Sequence, residues 1–180
     1  LVFIASVFGG IINAINIESI DNQYGNILIQ PAPDKKYIEN KDAIGSIDYI
    51  PGVIGSSAHY VDNVVISYDE RKDLKDIQSG RWQLKSLDVE YEKKVTKIHE
   101  SLIEGSFLES TDRDQILIGK EVAGGHGGDL DHMSLGGVFV GDKIDVRFSN
   151  GMKRKYTIKG IFSVKNTQVD QMVFVTRKEM

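Results

Sequence analysis

Between Asp142 and Phe162 the chain alternates apolar and charged residues on either side of Ser149-Asn150-Gly151. Ile144, Val146 and Phe148 fall on every second position, the period of a strand with one buried face. Asn150-Gly151 tolerates φ > 0 at two successive positions, as a tight two-residue hairpin turn requires. On the return strand Tyr156, Ile158 and Phe162 share a face, with Gly160 at the remaining position on it. A chain organised round such a hairpin must build a sheet and cover one side of it. No residue in the hairpin is a reactive nucleophile.

The flanking segments add further strands and a few short helices. Asn26–Gln30 reads as a strand closed by Pro31 and Pro33. Asn40 is placed to cap a helix carrying Ile44 and Ile47, ended by Pro51-Gly52. Val53–Val61, Val64–Tyr68, Trp82–Val89, Gln115–Gly119 and Met172–Thr176 have the composition of strands. Val95, Ile98, Leu102 and Ile103 recur at helical spacing, with Gly105 where a C-terminal cap belongs. Lys120–Ala123 opens a helical turn that runs into the glycine-rich stretch Gly124–Gly137. The opening order of helix, strand, helix, strand, strand predicts an α+β unit. Residues 69–81 are the most charged segment and read as a surface loop or long hairpin tip near a subdomain boundary. No internal repeat is visible.

Charge and composition narrow the function classes. A net charge of −4 gives no reason to expect a nucleic-acid partner. The run Lys153-Arg154-Lys155 is read as the solvated part of a strand in preference to a phosphate patch. With no cysteine, disulfide frameworks, thiolate metal sites and cysteine nucleophiles are excluded. Leu1–Ile15 is apolar apart from Ser6 and Asn13, and is shorter than the ~20 residues of a spanning helix. It reads either as the outer end of a transmembrane helix, the favoured choice, or as a buried helix.

His126, Asp129, Asp131 and His132 place four potential metal ligands in one glycine-rich loop. Their spacing matches no specific ligand set, so a flexible polar loop is the expectation and a metal site the alternative. The acid pairs Asp112/Asp114 and Glu104/Glu109 are expected to cap or be solvated. His59 and His99 stand isolated. No phosphate-binding glycine motif or nucleophile elbow occurs.

From Leu102 onward an ordered set of short motifs resembles the extracytoplasmic core domain of MacB/FtsX/LolC-type ABC transporter permeases. The pieces are Leu102–Asp112, Gln115–Ala123, Val140-Gly141-Asp142-Lys143-Ile144, Tyr156–Phe162 and Val173–Thr176, with Tyr24–Pro31 and Ile50–Val53 upstream. The Gly124–Gly137 loop is longer and richer in glycine than in that family. The resemblance implies an α+β fold, a MacB-like periplasmic core. In it a small α/β porter-like layer joins a β-rich outer lobe that carries the C-terminal β-hairpin. It divides the chain into 1–20, the end of transmembrane helix one; 21–75, the membrane-proximal subdomain; and 76–180, the outer subdomain.

The function so implied is mechanical. The domain would lie outside the cell membrane, periplasmic or extracellular, and would couple cytoplasmic ATP hydrolysis to movement of a substrate or partner there. Its partners would be a cytoplasmic ABC ATPase, a second permease copy and an extracytoplasmic accessory protein or substrate, with the membrane met through the N-terminal helix. Neither a cofactor nor catalysis is expected in the domain itself. The partner-contact residues expected on loops are Asp69, Arg71, Lys72, Arg81, His126, Asp129 and His132. The competing expectations are a stand-alone secreted binding or adhesion domain, and a metal-dependent enzyme using the Gly124–Gly137 loop.

Overall fold

The computed structural model describes residues 20–35, 37–38, 45–69, 77–125, 127 and 130–180. The strands are β1 (Val61–Asp69), β2 (Ile77–Leu87), β3 (Leu102–Gly105), β4 (Gln115–Gly119), β5 (Lys143–Arg147), β6 (Lys153–Phe162) and β7 (Met172–Thr176). They form one sheet in the order β3-β6-β4-β7-β2-β1-β5, and β5 pairs back onto β6. Six strands therefore close into a barrel, with β3 attached to the outside edge of β6. Among the described residues two short α-helices are complete, α1 (Val89–Val95) and α2 (Lys120–Ala123).

This closure overturns the α+β expectation. The described residues contain no α/β porter-like layer; they are mainly sheet. Asn26–Gln30 forms no strand, and its apolar side chains are exposed, Ile27 to 78%. Residues 53–60 are not a strand either, and β1 begins only at Val61. Of the helix expected from Asn40, residues 39–44 lie outside the described residues, and the rest ends in a 3-10 turn at Ile47–Tyr49. Leu1–Ile15 also lies outside them.

The helix expected over Val95–Leu102 is displaced. Helix α1 ends at Val95, Ile98–Glu100 is a 3-10 turn, and Leu102 starts β3. Apolar residues three or four apart are thus spread over three elements that pack on one layer. Ile98 and Leu102 meet Leu87, Leu117, Phe162 and Phe174 on the outside of the barrel. Of the charged segment 69–81, Asp69 ends β1 opposite Ile77 and residues 77–81 belong to β2, while 70–76 lie outside the described residues.

Inside the barrel the alternation holds. Val64, Ile66, Leu84, Ile116, Ile118, Ile144, Val146, Ile158, Val173 and Val175 share one core with Trp82 and Tyr156. Burying each such aliphatic side chain contributes about 1.5–3 kcal/mol before ordering entropy is set against it. The return strand departs from strict alternation. Ile116 faces Ile158 while Leu117 faces Gly160, so Lys159 is an extra residue in β6. The bulge shifts the period by one: Ile161 joins the interior, and Phe162 joins the outer cluster with Phe174 at 5.2 Å between ring centroids. Phe162 thus does not share a face with Tyr156 and Ile158.

The hairpin turn is also longer than the Asn-Gly pair suggests. Phe148 N donates to Met152 O at 2.9 Å and Gly151 N to Phe148 O at 3.0 Å. That is a three-residue loop, and within it only Gly151 has positive φ, +85°. Asn150 instead accepts a hydrogen bond from Met152 N through Oδ1 at 2.9 Å.

Pairing round the barrel follows an approximate two-fold pattern. Hairpin β1–β2 has β7 parallel to β2, and hairpin β5–β6 has β4 parallel to β6. The two halves meet where Ile66 faces Val146 and where Leu117 faces Phe174. By register Val64 corresponds to Ile144, and Trp82 to Tyr156. Each hairpin thus has beside it the strand that follows the other hairpin in the chain.

Candidate functional site

The two ends of the barrel differ in chemistry. At one end α2 follows β4, and Val122 and Ala123 close the interior together with Leu135 and Val138 from the glycine-rich loop. That loop is tethered: Leu135 N donates to Val122 O, and Gly137 N to Ala123 O, both at 2.9 Å. Leu130 N donates to Glu121 Oε2 at 2.7 Å. Leu135, with Val138 just beyond the loop, thus caps the barrel interior, while His132 and Met133 stay exposed.

The described residues that flank the expected contact loops lie at this plugged end. An added Cβ on Gly136 would stand 3.1 Å from Gln78, next to the β1–β2 tip. Tyr68 Oη donates to Asp142 Oδ2 at 3.1 Å across the same end. Asp69 closes β1, Arg81 is exposed on β2 opposite Val65, and His132 is exposed in the 3-10 turn Asp131–Met133. Arg71, Lys72, His126 and Asp129 lie outside the described residues.

The opposite end is charged. There the 3-10 turn Arg177–Glu179 follows β7 and turns a buried carboxylate inward. Arg154 Nη1 donates to Glu179 Oε2 at 2.9 Å and to the Glu179 carbonyl at 3.3 Å. Arg113 Nε stands 3.9 Å from Oε1 of the same carboxylate. Tyr156 is fully buried beneath them. Its hydroxyl lies close enough to feel both charges, yet makes no hydrogen bond of good geometry. Burial, with the negative charge of Glu179 second, pushes the Tyr156 pKa up to about 12. Beside this mouth an open cleft of about 460 Å³ is lined by Asp114, Lys143, Arg154, Lys155 and Thr157.

A second polar cluster lies outside the barrel wall, on α1. Glu92 is buried and accepts from Ser57 Oγ at 2.7 Å and Thr96 Oγ1 at 2.8 Å. His59 Nε2 lies 3.2 Å from its Oε2, and His59 Nδ1 lies 2.8 Å from the Ser86 carbonyl. Burial holds the Lys85 ammonium below the ordinary lysine range, and Glu92 opposes that shift. Burial, then the charge of Lys85, also lowers the His59 pKa.

Sequence reasoning missed both clusters. Arg154 stood in a basic run read as solvated, but it lies two residues from Tyr156 and therefore on the inward face. That period was the available signal. His59 and Glu92 are 33 positions apart in the sequence and carried no such signal. The acid pairs serve structure: Asp112 Oδ2 accepts from Lys159 Nζ at 2.6 Å and from Glu109 N at 2.7 Å. Glu104 accepts from Val140 N at 3.3 Å. Among the described residues no group of three or more His, Cys, Asp or Glu is arranged to hold a metal ion.

A scan against protein-family models finds no match, and a search of curated proteins finds none either.

Proposed function

We propose that this chain is an extracytoplasmic domain of an ABC transporter permease of the MacB/FtsX/LolC type. It works as a rigid transmitting body, coupling hydrolysis by a cytoplasmic ATPase to movement of a substrate or partner outside the membrane. The observation that carries this reading is the closed ring of strands. Displacement of one strand is passed to its neighbours through continuous hydrogen-bonded ladders, and an interdigitated core deforms little. The motifs behind the resemblance also fall at the joints of that ring: Gln115–Ala123 makes the strand-to-helix turn of β4 and α2, and Val140–Ile144 leads into β5. Ile27, Ile29, Tyr49 and Ile54 each carry an exposed apolar side chain, as segments covered by a further protein layer would.

The chain itself contributes no cysteine, so a labelled cysteine placed in it is compared with the parent polypeptide. Tyr49, 88% exposed, is replaced by cysteine in the intact polypeptide that carries this chain, and whole cells are treated with a membrane-impermeant maleimide. Labelling in unbroken cells, with an ATPase co-purifying from detergent extracts, is the expected result. Labelling only after lysis would overturn the reading.

A further inference from the structure

We propose that the charged mouth of the barrel is a carboxylate-binding site that Glu179 of the chain itself occupies. This inference stands apart from the transport reading and rests on the mouth alone. The Glu179 carboxylate takes the Arg154 guanidinium at 2.9 Å, with Arg113 flanking it. Arg154 also donates to the Glu179 main-chain carbonyl, so the site holds a piece of peptide and not only a charge. A guanidinium facing a carboxylate is the residue type suited to such recognition, because its planar fork matches the two oxygens.

Two further observations point to exchange with an outside ligand. Arg154 lines the open cleft as well as holding Glu179, and Lys143 and Lys155 bring two more cations to that cleft. An acidic group arriving there meets the same guanidinium that Glu179 uses. The second is Tyr156, fully buried, with its hydroxyl beside the Arg154–Glu179 pair and in no hydrogen bond of good geometry with either. A buried hydroxyl so placed can turn toward the oxygen atom of a carboxylate that takes the place of Glu179. At the quasi-equivalent place at the other end stands Trp82, beneath Val122 and Ala123, so the polar arrangement is not demanded by the fold. The ligand class is therefore a carboxylate borne by an acidic peptide or a small organic acid, and its arrival releases the turn Arg177–Glu179.

The test uses propionate, the side-chain fragment of glutamate, on the whole chain. Thermal unfolding of Glu179→Ala is followed with propionate and with equal sodium chloride. Should that variant fail to fold, Glu179→Gln serves, with propionate binding read from the NMR signal of the Arg154 Nε–H group. The expected result is that propionate, and not chloride, restores most of the lost Tm, or shifts the Arg154 signal. Wild type should respond at least tenfold more weakly, and adding Arg154→Leu should abolish the effect. Equal response in wild type, persistence in the Arg154→Leu background, or rescue by inorganic phosphate without rescue by propionate would each overturn the carboxylate assignment.

Discussion

Nε2 of His59 lies 3.2 Å from Oε2 of Glu92, and this contact ties the segment ahead of β1 to helix α1. The ring is enclosed between that carboxylate, the Ser86 carbonyl, the Lys85 ammonium and the more distant Arg177 charge. Burial and the two cations outweigh the carboxylate and carbonyl, so the folded pKa lies below the ordinary 6.5. The folded state then resists the proton that the unfolded chain accepts. Stability from this source is complete above pH 6.5 and is lost as pH falls through the folded value. Thermal unfolding should show Tm declining across that interval, and His59→Gln should flatten that part of the profile. An unchanged slope in the variant would exclude His59 as its origin.

Glu92 is the hub of the same cluster. Glu92→Ala removes the acceptor for Ser57 and Thr96 and leaves the buried Lys85 and His59 without their carboxylate. Breaking a buried charged network from one side costs about 3–5 kcal/mol. Urea unfolding should report a midpoint lowered accordingly, with an unchanged m-value.

Gly119 joins β4 to α2 in ordinary extended backbone, φ −73°, so it is not there for its conformational freedom. A Cβ at this position would stand 2.0 Å from the Asp170 carbonyl, which also accepts a hydrogen bond from Glu121 N. Main chain cannot swing aside as a side chain does. Gly119→Ala should cost about 1–3 kcal/mol through overpacking. Gly45→Ala, with nothing within 4 Å, is the control and should change stability by less than about 1 kcal/mol.

Both faces of β6 are covered at its end, and the bulge at Lys159 decides which of two consecutive buried residues faces inward. Ile161 faces the barrel interior and Phe162 the outer cluster, and both are fully buried. Ile161→Ala should therefore cost about 2–5 kcal/mol and Phe162→Ala about 3–5 kcal/mol. A simple alternating strand with one wet face would leave one of the two nearly neutral, which denaturant midpoints would reveal.

Tyr156 reports on the mouth. Its pKa of about 12 owes its elevation first to burial and next to Glu179. Glu179→Gln removes the negative charge that disfavours the phenolate. Ultraviolet difference absorbance should then place Tyr156 ionisation at lower pH than in wild type, provided that a spectrum at neutral pH shows the barrel still folded. An ionisation moved upward would contradict the charge assignment.

Local patterning carried a good part of the strand content. Ile144/Val146 and Tyr156/Ile158 announced the hairpin, and Gln115–Gly119 and Met172–Thr176 were legible as strands. The layered α+β reading failed because the same period-2 code describes a flat sheet and a closed one. Apolar residues at Val95, Ile98 and Leu102 looked helical because three short elements packing on one outer layer produce the same spacing. Residues 53–60 have strand composition, yet β1 begins only at Val61.

The sequence by itself determined the inward alternation of Ile144, Val146, Tyr156 and Ile158, the bend at Gly151, and that the chain brings no thiol chemistry, since these depend on residue type and on neighbours a few positions apart. Tertiary structure decided the closure of β5 onto β1, where Val65 faces Arg147, and the crossing that sets β7 beside β2 and β4 beside β6. It also brought Glu179 to Arg154, and Glu92 to Ser57 and His59. Those partners lie far apart along the chain. Which edges meet depends on how the whole set of strands buries its apolar faces, and no window of the sequence contains that information.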